Sequence, residues 1–241
     1  MSDERWDVVV VGSGPGGLTA GACLAAAGRS VLVLEAHDLA GGNTQVFRRH
    51  HRVEGPQGSE RAEYEFDVGV HYLGDCGPGG LFPSIFASLG MGERMRFLPL
   101  DPDGFDTLHF PDLEFVVPAG WDRYRERLIE AFPEERAGIE RVTGVLEAVA
   151  AESRVRGIPG VETPSFDLWA FRPLAELFAE GELSARCQAV LDHWSGLYAG
   201  GPRRTAVFMH AAIIDHYMRG AYYPEGGGQM IPARLVQVIE A

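Results

Sequence analysis

Cysteine is scarce in this sequence: Cys23, Cys76 and Cys187 are the 3 among 241 residues. They are odd in number and widely spaced, without a C-x-x-C or metal-type partner. That pattern argues against a disulfide framework and fits a reducing, cytoplasmic compartment. Long apolar runs are also missing. No stretch approaches the roughly 20 apolar residues of a spanning helix; Leu18 to Ala27 comes nearest, and its small residues read as a tightly packed helix. Peripheral membrane contact stays open. The start, MSDERWD, is acidic where a leader would be basic, and the first apolar run covers only Val8 to Val11, so secretion is disfavoured. Positive charge is in deficit, with 21 Lys and Arg against 34 Asp and Glu and a formal net charge of −13. A polyanion would be repelled, and nucleic acid is not expected as a partner. No G-x-S-x-G elbow and no C-x4-C redox pair occurs, which speaks against hydrolase and disulfide-reductase chemistry. His210 and His216 lie six apart on one helix and share no face, so no metal site is expected.

Glycine is present in excess, 31 of 241 residues, against the usual share of about 7%. Without a fibrous repeat, the excess belongs at turns and at places where backbone must approach something closely. Gly12, Gly14 and Gly17 form G-x-G-x-x-G between a short β-branched run, Asp7 to Val11, and a helix of small residues, Pro15 to Ala27. Gly28 stops that helix, and Ser30 to Leu34 returns as a second strand. This is a right-handed βαβ unit whose strands are expected to be buried on both faces. The first glycine permits the turn, the second lets backbone approach a pyrophosphate, and the third packs helix on strand. Glu35 ends the second strand 18 residues after Gly17, where a carboxylate can accept from both ribose hydroxyls of an adenosine and would repel a 2′-phosphate. The pattern up to this point fits FAD and NAD equally.

Further along, Thr44 to Arg52 and Tyr64 to Val68 read as a hairpin around a polar loop, Gly55 to Ala62. The run Arg48 to Arg52 reads as a solvated strand of it. A second hairpin is expected from Phe105 to Phe110 and Leu113 to Val117. Helical spacing follows at Trp121 to Ala131, Glu134 to Glu152, Pro173 to Ala179, Ser184 to Tyr198 and Arg203 to Arg219, with a linker at Arg156 to Ser165. A last helix begins at Gln229.

The residues after the second strand carry a resemblance. Glu35-Ala36, four residues, then Gly41-Gly42-Asn43-Thr44 resembles the E-A-x4-G-G-R-x-x-T signature of the FAD-dependent amine oxidase and phytoene desaturase superfamily, with Asn43 where the family has arginine. The resemblance implies FAD, with the double-glycine loop passing over its diphosphate. Phe66-Asp67-Val68-Gly69-Val70-His71-Tyr72-Leu73-Gly74 resembles the F-D-x-G-x-H-Y-x-G stretch of the retinol saturase and carotenoid isomerase branch, which lies beside the isoalloxazine ring. Tyr222-Tyr223-Pro224-Glu225-Gly226-Gly227-Gly228-Gln229 is similar to the family's Y-P-x-G-G segment. The cofactor-binding candidates are therefore Gly12, Ser13, Gly14, Pro15, Gly16, Gly17, Glu35, Ala36, Gly41, Gly42, Asn43, Thr44, Val70 and His71. His71 is also the catalytic candidate, with a satisfied structural histidine as the other reading.

The expected fold is α/β: an incomplete Rossmann-like FAD-binding domain with an α+β substrate domain of hairpins and helices. Its expected divisions are residues 1–75, 76–220 and a return to the first domain at 221–241. The resemblance implies an oxidoreductase acting on carbon–carbon double bonds of an apolar polyene. A flavin amine oxidase, an NAD-binding dehydrogenase and a non-catalytic half-flavoprotein are the rival readings. Two parallel strands fall short of the usual five or six, and the Gly-Asp segment that the family closes over FAD does not appear before Ala241. The chain is therefore expected to be a truncated or split form that binds FAD poorly alone, the domain being completed by more of a longer protein or by a second chain, unless its open edges are handled in another way.

Overall fold

The computed structural model describes residues 5–55 and 58–241, which fall into two units, one of residues up to 99 together with 222–241, the other of residues 100–221. Residues 76–99 thus lie in the first unit, where the sequence placed them with the helices.

In the first unit, β1 (Val8–Val11) and β2 (Val31–Leu34) pair in parallel, Val8 opposite Val31 through Val11 opposite Leu34. Four consecutive valines make β1, since branched side chains suit a pleated surface and little else. Between the strands, α1 (Pro15–Ala26) starts with proline in its first turn, where the missing N–H costs nothing. Next come β3 (Val46–Gly55), β4 (Gly58–Asp67), β5 (Leu73–Gly74), α2 (Leu81–Ser88) and β6 (Phe97–Pro99). After the second unit the chain returns as β9 (Ala221–Pro224) and α10 (Met230–Ile239), and β9 lies between β5 and β6 in a three-stranded sheet. α10 docks on α1 at Gly21, where an added Cβ would stand 3.2 Å from Ile239 Cδ1. The core between these helices is small: Leu18, Ala22, Phe86, Met91, Met95, Ile231 and Leu235.

Two expectations for this unit are corrected. β1 is not buried on both faces, since Val9 is 52% and Val11 83% exposed. Among the described residues its only strand neighbour is β2. The polar loop expected from Gly55 to Ala62 is mostly strand, because β3 and β4 stay paired from Val46 opposite Asp67 out to Gly55 opposite Gly58; residues 56–57 of that loop lie outside the described part. Polar composition misled here because a two-stranded ribbon with both faces in solvent needs no apolar alternation.

The second unit holds the hairpin β7 (Asp106–Phe110) and β8 (Leu113–Val117), then α3 (Trp121–Ala131), α4 (Arg136–Val155), α5 (Pro164–Trp169), α6 (Leu174–Glu180), α7 (Ala185–Leu191), α8 (Ser195–Tyr198) and α9 (Val207–Met218). The helix expected over Ser184 to Tyr198 is thus two short helices, and the expected linker ends in α5. A continuous core of large side chains, among them Tyr124, Leu128, Leu146, Phe178, Trp194 and Ile214, fills this unit. The buried Asp215 carboxylate ties three helices together. It accepts from Trp121 Nε1 at 3.2 Å, pairs with Arg219 Nε at 3.2 Å and meets the Arg154 guanidinium. No helix among the described residues is long and apolar enough to cross a membrane.

Candidate functional site

The glycine loop after β1 closes tightly on itself. A Cβ on Gly17 would stand 2.2 Å from the Gly12 carbonyl oxygen, so only glycine lets α1 start this close to the strand. In front of Gly12, Gly14 and Gly16 an added Cβ would meet nothing within 4 Å, so the loop presents bare backbone outward. α1 has no side-chain cap and no acidic residue in its first turn. Its leading N–H groups and the positive end of its dipole are therefore free for an anion.

Glu35, at the end of β2, turns back to that loop. One carboxylate oxygen accepts from Ser13 N at 2.7 Å and Ser13 Oγ at 2.5 Å; the other accepts from Ala36 N at 2.8 Å and His37 N at 2.9 Å. The Ser13 hydroxyl, helped by the His37 and Ser13 amides, pulls its pKa down to about 2. The group is a fixed anion beside the loop.

The double-glycine loop folds over the same place. Gly41 N donates to Ser13 O at 3.0 Å, and an added Cβ on Gly42 would stand 3.0 Å from Gly14 Cα. Gly41 and Gly42 take φ of 131° and 54°, which a side chain would oppose. Thr44 is buried and closes the turn by donating from Oγ1 to Gly41 O at 2.8 Å. Asn43 is exposed, and its carbonyl lies 3.1 Å from where a Gly69 Cβ would be.

The structure thus brings together the candidates from Gly12 to Gly17, Glu35, Ala36 and Gly41 to Thr44. Val70 is buried, whereas His71 is exposed, with no hydrogen bond or ion pair to another described residue. Three residues outside the candidate list hold the assembly. Gln229 Nε2 donates to Ala40 O at 2.9 Å, and its Oε1 accepts from Val46 N at 3.3 Å, so this side chain brackets the double-glycine loop from both ends. Asp67 Oδ1 accepts from Gly228 N at 2.9 Å, and its other oxygen accepts from the Tyr223 hydroxyl. Burial, with the Asp67 bond next, pushes the Tyr223 pKa up to about 12, so it remains the donor. Asp67, Tyr223 and Gln229 all sit inside the quoted sequence motifs. What the motifs could not say is that they touch.

A fold with a phosphate-sized bare loop at a helix start and an acid at the next strand end defines a nucleotide-cofactor protein. The family model described as an NAD(P)-binding Rossmann-like domain matches residues 10–89. The chain is 34% identical over 256 residues to the all-trans-retinol 13,14-reductase of Macaca fascicularis, which covers 98% of this chain and 40% of that protein. It is 35% identical over 142 residues, 57% of its length, to prolycopene isomerase 2 of an Oncidium hybrid cultivar, of which that covers 22%. In fold it is similar to cyclohexylamine oxidase from Brevibacterium oxydans, with a TM-score of 0.61, 19% identity and coverage of 98% of this chain and 49% of that one. The chain is thus similar along nearly its whole length to retinol reductases, and along more than half of it to a prolycopene isomerase. It spans 40% of the length of the retinol reductases it matches.

Proposed function

We propose that this chain carries the ADP-binding half of an FAD site in an oxidoreductase that saturates, desaturates or isomerises carbon–carbon double bonds of an apolar, carotenoid- or retinoid-like polyene. The observation that carries the reading is the Glu35 carboxylate fastened to Ser13 beside a glycine loop bare of side chains. A retinol reductase and a prolycopene isomerase among the relatives support the substrate class. FAD, when bound, supplies the hydride chemistry, and the protein binds, orients and shields it.

In this reading the residues divide the work as follows. The N–H groups of Gly14, Gly16 and Gly17 hold the diphosphate at the start of α1. Glu35 accepts the ribose hydroxyls, and its charge selects against a 2′-phosphate. The loop from Gly41 to Thr44, bracketed by Gln229, passes over the diphosphate. Val70 and His71 approach the flavin, with the exposed His71 imidazole available to hold or pass a proton.

A second reading is favoured by the uncovered β1: the FAD domain is shared with further strands, on a second polypeptide or on more of the same one. Cofactor released by denaturing a complete, active assembly decides between FAD and NAD. Incubating that assembly with retinol, with a cis-carotenoid and with cyclohexylamine, and separating the products, decides the substrate class. Turnover of the amine alone overturns the polyene reading.

A further inference from the structure

One face of α10 borders a hollow of about 760 Å3, within the roughly 300–1,000 Å3 of small-molecule sites. Met230, Arg234 and Gln237 recur at i, i+4 and i+7 and share that face, whereas Ile231 and Leu235 point into the core of the first unit. A second wall is the turn between α2 and β6, with Met91, Glu93, Arg94 and Arg96, and a third is the end of β9, with Glu225 and Gly226. Glu225 N donates to Arg96 O at 2.9 Å, which ties those two walls together. Gly226 takes a φ of 88°, and an added Cβ would stand 3.0 Å from Met230 Cγ, so glycine lets the third wall close on the helix.

Three guanidiniums line this hollow in a chain whose formal net charge is −13. Arg96 Nη1 pairs with Glu225 at 3.2 Å. Arg234 is pinned, donating from Nε to the Arg94 carbonyl at 2.9 Å and from Nη1 to Gln237 Oε1 at 3.1 Å. A guanidinium held in this way has already lost the rotamer freedom that binding would otherwise remove. The Arg94 side chain is exposed and has no hydrogen-bond or ion-pair partner among the described residues. Against the three arginines stand Glu93 and Glu225, which leaves one positive charge in excess. That excess matches a monoanion better than a phosphate dianion.

We propose that this hollow binds a small organic acid, with its carboxylate between the Arg94 and Arg234 guanidiniums and its apolar body against Met91 and Met230. Guanidinium and carboxylate fit each other as planar forks, and the unbranched methionine side chain adapts to apolar bodies of different shape. The hollow shares no residue with the FAD candidates, so the inference stands independently of the flavin reading.

The test is titration of the chain with octanoate, followed by amide chemical shifts, with acetate and inorganic phosphate for comparison. Octanoate is expected to move the amides of residues 91–96 and 225–237, with an affinity that falls as salt is added. Acetate lacks the apolar body and is expected to bind at least about tenfold more weakly, since burial of two methylenes already gives that factor. Arg94→Gln removes a side chain with no internal bond to lose, and is expected to weaken octanoate about tenfold with an unchanged melting temperature. Gly14→Val fills the bare glycine loop, where an added Cβ meets nothing within 4 Å, and is expected to leave octanoate binding intact. Shifts absent at millimolar octanoate, or confined to other residues, overturn the proposal. So does equal binding by Arg94→Gln, loss of binding in Gly14→Val, or acetate or phosphate binding as tightly as octanoate.

Discussion

At the residue scale the site rests on one carboxylate and the groups that hold it. Glu35 receives four hydrogen bonds, two of them from Ser13. Glu35→Gln removes the charge that accepts ribose hydroxyls, and FAD or ADP affinity measured by calorimetry is expected to fall about tenfold, the usual size of a hydrogen bond to a charged group. Ser13→Ala removes the largest cause of the low Glu35 pKa, so the carboxyl titration followed by NMR is expected to move up from about 2. A different residue pair governs acid stability. Burial holds His193 down at about 4 and His210 at about 3, against 6.5 for a free imidazole. Both folded values lie below the unfolded one. Above about pH 6.5 neither state takes up a proton; below it, the unfolded chain binds protons that the fold refuses. Stability in urea is therefore expected to drop by up to about 1.4 kcal/mol per pH unit for each histidine, most clearly between about pH 6.5 and pH 5, before the carboxylates titrate. His193→Phe is expected to halve that slope. Of these residues Glu35 and Ser13 were legible from spacing alone, while the burial of two histidines on separate elements was not.

At the element scale, long-range side chains lock local pieces that sequence pattern identifies separately. Gln229, beside α10, holds both ends of the double-glycine loop. Gln229→Ala is expected to cost about 2 kcal/mol for two lost bonds, and to raise hydrogen exchange through residues 40–46 more than in the helical unit. Asp215 plays the corresponding part among α3, α4 and α9. Asp215→Ala is expected to lower the stability of that unit by about 2 kcal/mol; the two arginines remain half-exposed, which limits the loss. The helices α3 and α9 and the hairpin of β7 and β8 were readable because their periods are local. β5, β6 and β9 were not, since two- to four-residue strands carrying Gly and Pro show no alternation, and β9 becomes a strand by pairing with β5 on one side and with Phe97 to Pro99 on the other.

At the scale of the whole molecule the two units are unequally finished. The helical unit has a core of fully buried aromatic and aliphatic side chains, while the first unit has a short core and a two-stranded parallel sheet whose Val9, Val11 and Leu34 are exposed. An uncovered parallel pair is rare because both faces normally carry helices, and an open edge invites further pairing. The chain alone is therefore expected to bind FAD weakly in fluorescence titration, and to gain affinity at least tenfold when a polypeptide supplying the adjoining strands is added. Val9→Lys/Val11→Lys is expected to block that gain while leaving the helical unit's unfolding transition in place. A tight stoichiometric yellow complex from the chain alone would contradict this.

What sequence alone determined is the βαβ unit with its bare glycine loop and Glu35, because turn, helix and strand there lie within about thirty contiguous residues and each obeys local sterics. The tertiary structure decided the rest: that Asp67 meets Tyr223 across 156 positions, that Gln229 reaches Ala40 across 189, and that the first strand is uncovered. Four valines in a row read the same whether neighbours flank them or not, since hydrophobicity records what a strand can bury and only three-dimensional packing determines what covers it.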